Sequence, residues 1–595
     1  AVNTFNKIQA LRRLQRFSEA EPIAHDLTAK YPYYATSWHI LGIILGEVGE
    51  TAQSVSPLFK ALSLQPRNTS IYADLSAALQ LLNEMQCAET VLRYALGIDR
   101  SHIPNWLNLG NLLRSQDKTS LAEICYRNAL ITDPADPGAL NNLSTVLGDQ
   151  GNLAESIECL RKVINAQPDN FAAYSNLLFM LSQYADITPT DLFKEHRAFG
   201  RRVEKNIKKQ TLRLDHKNLR DPQKVLRLGF VSGDLRNHAV ASFIAPIWES
   251  FNKREFELYA YSNTPSEDSV SQRLKAHVKS WKKVRSLSDQ ELAKQIQQDE
   301  IDILFDLSGH TAHNRLPMFA IKPAPIQISW IGYPGTTGLK AMDYYLADNY
   351  WAPEGVLDDQ FSEKLLRIPC VAPFQSAVNA PNINSLPALK IGYITFGSFN
   401  RISKINNEVI TTWCQILQEI PDAHLVIGHM HGSTMKRDVL ARFEKFSISP
   451  ERLILRERTN MHEYLKLHHQ IDLMLDAFPY GGGTTTHHAL QMGVPTLTLA
   501  GQTLAARAGA SLMTQVGLND FIANGKAQYI QKAAHWSNNL SELEQIRTNM
   551  RSRIATSPLD SSAGIAKSLE NALRTLWSHH CSKETPASPM PKLIH

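Results

Sequence analysis

The chain is poor in cysteine and lacks any arrangement that would put its thiols to use. Its six cysteines (Cys87, Cys125, Cys159, Cys370, Cys414, Cys581) form no CxxC pair and no close spacing. Neither a zinc knuckle nor a disulfide framework is indicated, and reduced thiols in a cytoplasmic protein are expected. No uninterrupted apolar run reaches the roughly 18 residues of a membrane-spanning helix, and the opening "AVNTFNKIQALRRLQRF" has no apolar core of a secretory signal. A protein neither secreted nor membrane-bound is the expectation. Metal motifs are missing too: there is no HExxH and no close cluster of histidine with carboxylates. His487 and His488 are adjacent, so on a helix they point about 100 degrees apart. Excess charge of one sign is also absent, and a net charge of +5 over 595 residues demands no nucleic-acid partner. What remains is a globular composition, 43% hydrophobic and 20% charged, in a chain long enough for roughly two to four domains.

The front third is periodic. Leucine stands at 41, 75, 109, 143 and 177, a strict spacing of 34 residues. Ala61, Ala95 and Ala129 keep the same spacing, with Val163 in the fourth place. Pro32, Pro66, Pro134 and Pro168 close successive units, Arg100 being the exception. Small residues let paired helices approach and the prolines stop the second helix of each pair. Units such as "ALNNLSTVLGDQGNLAESIECLRKVINAQPDN" read as two amphipathic helices around a polar turn, the tetratricopeptide pattern. About four full units span residues 32 to 170, with a degenerate half or whole one before them and a capping helix from Phe171. Such arrays stack into a superhelix that offers extended peptide a concave face. The residue before each periodic leucine is Ile40, Asp74, Asn108, Asn142 or Asn176, so three asparagines recur one repeat apart. Their amides can donate to and accept from a peptide backbone, or can serve the neighbouring repeat or solvent instead.

From about residue 224 the texture changes to short β-branched runs that alternate with helices. "KVLRLGFVSGD", "FELYAYS", "IDILFDLSGHT", "PIQISWIGY" and "MDYYLAD" read as buried parallel strands, and so do "YITFGSFN", "AHLVIGHM", "RLILRE", "IDLMLDAF" and "PTLTLAG". Two α/β domains follow, separated by the loose "SAVNAPNINSLPALK". Ligands of such sheets bind outside the carboxyl ends of the strands. "GGGTTTHH" (481–488) sits at such an end: glycines admit a phosphate close to the backbone, and the amides of Thr484 to His487 open a helix whose positive end favours an anion. A purely structural turn is the other reading. Lys404, in "GSFNRISKI", can project from a helix start toward the same anion or lie on the surface. His238, Asp306, His310 and Thr311 follow strands of the first domain, and a histidine there can accept a proton near neutral pH or simply pack.

"KPAPIQISWIGYPGTTGLKAMDYYLAD", "SFNRISKI", "LDAFPYGGGTTTHHALQMGVP" and "GFVSGDLRNHAVASF" resemble the blocks of the O-linked N-acetylglucosamine transferase family, glycosyltransferase family 41, most closely its bacterial, Xanthomonas-type members. The resemblance covers nearly the whole chain. It implies a tetratricopeptide superhelix followed by a GT-B region of two Rossmann-like lobes. It also implies inverting transfer of N-acetylglucosamine from UDP-GlcNAc to serine and threonine hydroxyls of proteins, without a metal or other cofactor. By resemblance, Lys404 meets the donor diphosphate; Asn400 and Arg401 line it; Thr484 and Thr485 grip it. Gly483, Thr486, Met461 and His462 are grouped with these donor-site residues, and His310 and Thr311 are placed beside the sugar. His238, or a water-linked Asp306, is the candidate base, and Asn108, Asn142 and Asn176 are the candidate acceptor ladder. The implied division is repeats 1–183, linker helices 184–223, an N-terminal catalytic lobe 224–380, a nucleotide-binding lobe 381–570 and a tail 571–595.

Departures from the family pattern keep the donor open. Gly483 stands where animal members have histidine, and His488 where they have an aspartate that meets the ribose. The family's large insertion between the lobes is also missing. Plant SPINDLY proteins, which resemble these enzymes but transfer fucose from GDP-fucose, share the threonine-rich turn without that histidine. A GDP-fucose-dependent protein fucosyltransferase is therefore the alternative, and a non-catalytic peptide-binding scaffold with a degenerate nucleotide site is another. Self-association through the repeats stays open.

Overall fold

The computed structural model describes residues 2–13, 16–209, 214–373, 379–430 and 432–582. It divides into two compact units, residues 1–150 with 158–166, and residues 151–157 with 167–595.

Among the described residues the first unit has helices and no strand. Helices Ala35–Val48 and Thr51–Leu64, Thr69–Leu81 and Met85–Ile98, and Ile103–Ser115 and Thr119–Thr132 form successive pairs, and Pro137–Asp149 begins the next. Helices Val2–Arg13 and Phe17–Lys30 precede them. The 34-residue spacing has a packing cause: Leu41, Leu75, Leu109 and Leu143 are at most 3% exposed, and Ala61, Ala95 and Ala129 are completely buried. Each second helix ends two residues before the closing proline, as at Leu64 before Pro66 and Thr132 before Pro134. Met85–Ile98 stops at the same place without a proline.

The second unit opens with helices Phe171–Leu181 and Pro189–Lys208. Helix Pro189–Lys208 touches the loop of residues 333–340 so closely that a Cβ on Gly200 would lie 1.9 Å from the Gly338 carbonyl oxygen. Two parallel sheets follow. The first holds β1 (Leu226–Ser232), β2 (Phe256–Ser262), β3 (Ser280–Lys283), β4 (Ile303–Asp306), β5 (Ile326–Ser329), β6 (Tyr344–Ala347) and β7 (Lys364–Arg367) in the order β3-β2-β1-β4-β5-β6-β7. The second holds β8 (Thr395–Ser398), β9 (His424–Met430), β10 (Leu453–Glu457), β11 (Leu473–Leu475), β12 (Thr496–Leu499) and β13 (Ile522–Ala523) in the order β10-β9-β8-β11-β12-β13. Every pairing among the described residues is parallel, and β4, β5, β8 and β11 are buried along their whole length, as strands covered by helices on both faces must be.

The chain end departs from expectation. Residues 571–582, read above as the start of a tail, are the last turns of helix Ser562–Ser582, which packs on helix Ala239–Ser250 of the first lobe. Leu573, Leu576 and Trp577 are buried there; Trp577 Nε1 donates to the Asp221 carbonyl at 2.9 Å, and Asn252 N donates to Glu570 Oε1 at 2.6 Å. An apolar face that crosses back to the first lobe has no counterpart in local sequence texture. Residues 583–595, and residues 374–378, which include the first three of the loose stretch between the lobes, lie outside the described residues.

Candidate active site

Both sheets reverse their strand order next to their first strand, between β1 and β4 and between β8 and β11, and the crevice at such a reversal is where doubly wound sheets take ligands. The two switch-point strands carry the same pattern, "IDILFD" (301–306) and "IDLMLD" (471–476). The leading carboxylates anchor the strand starts. Asp302 accepts from Lys224 Nζ and Arg227 N, both at 2.9 Å, and Asp472 accepts from Ala388 N at 2.9 Å and Thr395 N at 2.8 Å.

The trailing carboxylates, Asp306 and Asp476, brace the loops at the carboxyl ends. Asp476 Oδ1 accepts from Ala477 N at 2.9 Å, Gly482 N at 2.7 Å and Asn400 Nδ2 at 3.1 Å, and its Oδ2 accepts from Thr498 Oγ1 at 2.8 Å. The glycine turn is thereby pinned from below, and Gly481 N is held by the Ala505 carbonyl at 3.1 Å. Helix Thr484–Gln491 starts from Gly483, and the His487 amide already bonds back to Gly483 O at 3.1 Å. The open amides are therefore those of Thr484, Thr485 and Thr486, and the His487 amide is not among them. Thr485 Oγ1 donates to Asn400 Oδ1 at 3.3 Å and Thr486 Oγ1 to Gly482 O at 2.9 Å, whereas Thr484 Oγ1 has no protein partner among the described residues.

Lys404 ends a short 3-10 turn, Ile402–Lys404, just beyond β8. Its Nζ donates to the Gly481 carbonyl at 2.8 Å and lies 4.4 Å from the centre of the Tyr480 ring. The structure thus brings Lys404, Asn400 and the threonine turn into one constellation. Burial pushes the Lys404 ammonium down to about 8, opposed by Asp476 and reinforced by the Arg401 charge. Arg401 is exposed and also disfavours protonation of His238. Met461 and His462 head helix Met461–Leu467, whose Tyr464 packs 5.4 Å from His488 of the turn helix. Met461 is half exposed, and His462 Nδ1 lies 3.2 Å from the Asn379 carbonyl.

On the first lobe, His238 caps helix Ala239–Ser250, with Nδ1 accepting from Val240 N at 3.3 Å. In the neutral ring that bond leaves the proton on Nε2, so Nε2 donates and the basic nitrogen faces the helix. Desolvation lowers the His238 pKa, Asp234 at 3.8 Å opposes this, and Arg401 and Arg236 add to it.

Two sequence assignments need correction. His310 does not line an open sugar pocket: it is completely buried, with Nε2 donating to the Thr337 carbonyl at 3.1 Å and Nδ1 against Ser175 Oγ at 3.2 Å, among His196, Phe199 and Tyr333. Its pKa falls well below the ordinary value because burial penalises the cation. Asp306 is not placed to serve as a water-linked base. It is 1% exposed and its oxygens accept from Ser308 N, Gly309 N and Ser329 Oγ at 2.9 to 3.1 Å, which makes it a loop brace. Thr311 is half-buried and donates to the Ser308 carbonyl at 2.8 Å.

In the repeat unit, Asn108 Nδ2 donates to Ala73 O at 3.4 Å and Asn142 Nδ2 to Asn111 Oδ1 at 3.2 Å, each reaching back one repeat. At the preceding ladder position Asp74 is bound by His39 Nε2 at 2.6 Å. Among the described residues neither Asn108 Oδ1 nor Asn142 Oδ1 accepts a hydrogen bond. Asn176 is half-buried in the second unit.

Two residues of this constellation that the sequence does not single out are Asp476 and Tyr480. The repeated "IDxxxD" pattern was the signal available for Asp476; Tyr480, whose ring meets the lysine only after folding, had none.

The family model described as glycosyl transferase family 41 matches residues 194–374 and 372–569, and a tetratricopeptide repeat model matches residues 137–170. The Arabidopsis thaliana protein named probable UDP-N-acetylglucosamine–peptide N-acetylglucosaminyltransferase SPINDLY is 32% identical over 404 residues, 67% of this chain and 44% of its own length. The Arabidopsis protein of the same description called SEC is 30% identical over 375 residues, 61% of this chain and 38% of its own. This chain therefore matches less than half the length of these plant relatives. A solved structure of a lysine-to-methionine variant of Thermobaculum terrenum O-GlcNAc transferase superposes with a TM-score of 0.80 at 30% identity, covering 86% of this chain and 98% of that one.

Proposed function

The chain belongs to glycosyl transferase family 41, and on that premise we propose that it is an inverting glycosyltransferase that moves N-acetylglucosamine from UDP-GlcNAc to serine and threonine hydroxyls of proteins. The observation that carries the reading is the contact of Lys404 Nζ with the glycine turn at the switch point of the second sheet. A cation bound to that turn, with the open amides of Thr484–Thr486 and the spare Thr484 hydroxyl at the start of the helix that follows it, makes a set suited to a diphosphate.

In this reading the acceptor oxygen attacks the anomeric carbon from the face opposite the diphosphate. The bond from that carbon to the phosphate oxygen breaks, UDP leaves with the electron pair, and α becomes β. Lys404 and the turn amides stabilise the charge that grows on the leaving phosphate, so no metal is assigned to that task. With Nδ1 accepting from Val240 N, the neutral His238 carries its proton on Nε2; to take the acceptor proton its ring must release the Val240 amide. The reading places the enzyme in the cytoplasm, in keeping with six unpaired cysteines. Among the described residues no helix is long and apolar enough to cross a membrane. Protein acceptors are assigned to the repeats, and neither nucleic acid nor membrane is a partner.

The GDP-fucose alternative rests on Gly483, which puts no side chain where animal members carry histidine. Calorimetry decides between the two: UDP is expected to bind more tightly than GDP, and tighter GDP binding would overturn the donor choice. The acceptor assignment is checked with alanine at Asn108, Asn142 and Asn176 together. The Michaelis constant for protein acceptors should rise while UDP affinity stays at the wild-type value. Because two of these amides also tie neighbouring repeats, melting should show a loss of about 1 kcal/mol for each repeat bond removed. Unchanged acceptor kinetics would leave the asparagines with the repeat-tying role alone.

A further inference from the structure

We propose that Asp476, a carboxylate that does not itself meet the ligand, is the positioning residue of the donor-diphosphate site, joining the glycine turn to the segment that carries Lys404. The proposal rests on the diphosphate reading above.

Four pieces of chain converge on this one side chain: the end of β11, the glycine turn through Gly482 N, the segment after β8 through Asn400 Nδ2, and β12 through Thr498 Oγ1. Asn400 passes the constraint on by accepting from Thr485 Oγ1, so the carboxylate fixes both the turn and the second helical hydroxyl above it. The Asp476 backbone is tied as well, its carbonyl accepting from Tyr529 OH at 3.0 Å. Asp476 is 2% exposed and its own pKa is raised by burial, with Gly482, Thr498, Lys404 and Asn400 each pulling it down.

A buried negative charge beneath an anion site is costly unless it does something for a cation. The charged and titratable groups that face Lys404 are Asp476 from β11, Arg401 from its own segment and Tyr480 from the turn. Arg401 and burial favour loss of the lysine proton; Asp476 is the group that retains it. Asp306, the counterpart in the first lobe, supplies an internal comparison: it is equally buried and accepts from Ser308 N, Gly309 N and Ser329 Oγ, and among the described residues no lysine contributes to its electrostatics.

The test is calorimetric titration of the full chain with inorganic pyrophosphate and with UDP between about pH 6 and pH 9. Wild-type affinity should fall as the pH rises through about 8, because the ammonium is present below that value and lost above it. Asp476→Asn should move this fall downward by about one pH unit, a tenfold change in proton affinity, and Asp306→Asn should keep the wild-type midpoint while melting earlier. Thr498→Val, which removes one neutral donor and leaves the carboxylate charged, should concentrate that charge on the lysine and give a smaller shift in the opposite direction; it decides the matter if Asp476→Asn does not fold. A wild-type midpoint in the folded Asp476 variant, or in Thr498→Val where that is the variant relied on, would reduce Asp476 to a structural brace and overturn the proposal. Pyrophosphate binding without UDP binding would sink the donor reading while the pyrophosphate midpoints still judge Asp476; no pyrophosphate binding by the wild type would overturn both.

Discussion

Lys404→Ala is expected to lower kcat/KM for transfer from UDP-GlcNAc by about 2 to 4 kcal/mol of transition-state stabilisation, the loss that follows removal of one preorganised oxyanion donor. The ammonium is held by the Gly481 carbonyl and the Tyr480 ring, so it needs little reorganisation to meet charge developing on the leaving phosphate. That charge increases as the glycosidic bond breaks, and kcat should therefore fall more than the donor's Michaelis constant rises. Stability should change little, because the variant also sheds the cost of keeping a partly desolvated cation. The measurement is steady-state transfer alongside thermal melting. Near-normal turnover in a folded variant would sink the assignment of Lys404, and a wild-type protein with no turnover to lose would point to the scaffold alternative.

Gly482→Ala is expected to cost about a hundredfold in kcat/KM, the scale of a catalytic group misplaced by about an ångström. A Cβ at this position would lie 2.4 Å from Thr485 Oγ1 and 3.1 Å from Asn400 Oδ1. Thr485 would have to leave Asn400, and the Gly482 amide would be levered off Asp476. The fault is local, so the variant should remain folded and still bind acceptor. Gly483, one residue on, would meet nothing within 4 Å, and Gly483→Ala is the matched control that should keep most activity. Equal losses in both variants would show that backbone freedom, rather than close packing under the threonines, is what the turn requires.

Much of this arrangement was legible in the sequence because it rests on periodic burial. The 34-residue leucine spacing is a stacking period, and ten of the thirteen strands among the described residues announced themselves as apolar runs. The three that did not, β3, β7 and β13, are edge strands of two to four residues; "SWKK" and "KLLR" carry the charge that edges tolerate. The glycine-threonine turn could be read as an anion site since strand end, glycine and helix start are contiguous. Partners from distant segments were harder. His310 and Asp306 sit at strand ends like true site residues, yet helix Phe171–Leu181 and the Thr337 loop close over the histidine, while the aspartate folds back on its own loop. Only tertiary packing separates them from His238, which keeps 38% of its side chain open.

The most direct measurement is transfer of radiolabelled sugar to protein by the full chain, with UDP-GlcNAc and GDP-fucose offered in parallel reactions. The account predicts that label enters protein from UDP-GlcNAc, is released by alkaline β-elimination as expected of serine and threonine linkages, and is lost in Lys404→Ala. Label from GDP-fucose alone, or from neither donor, would contradict it.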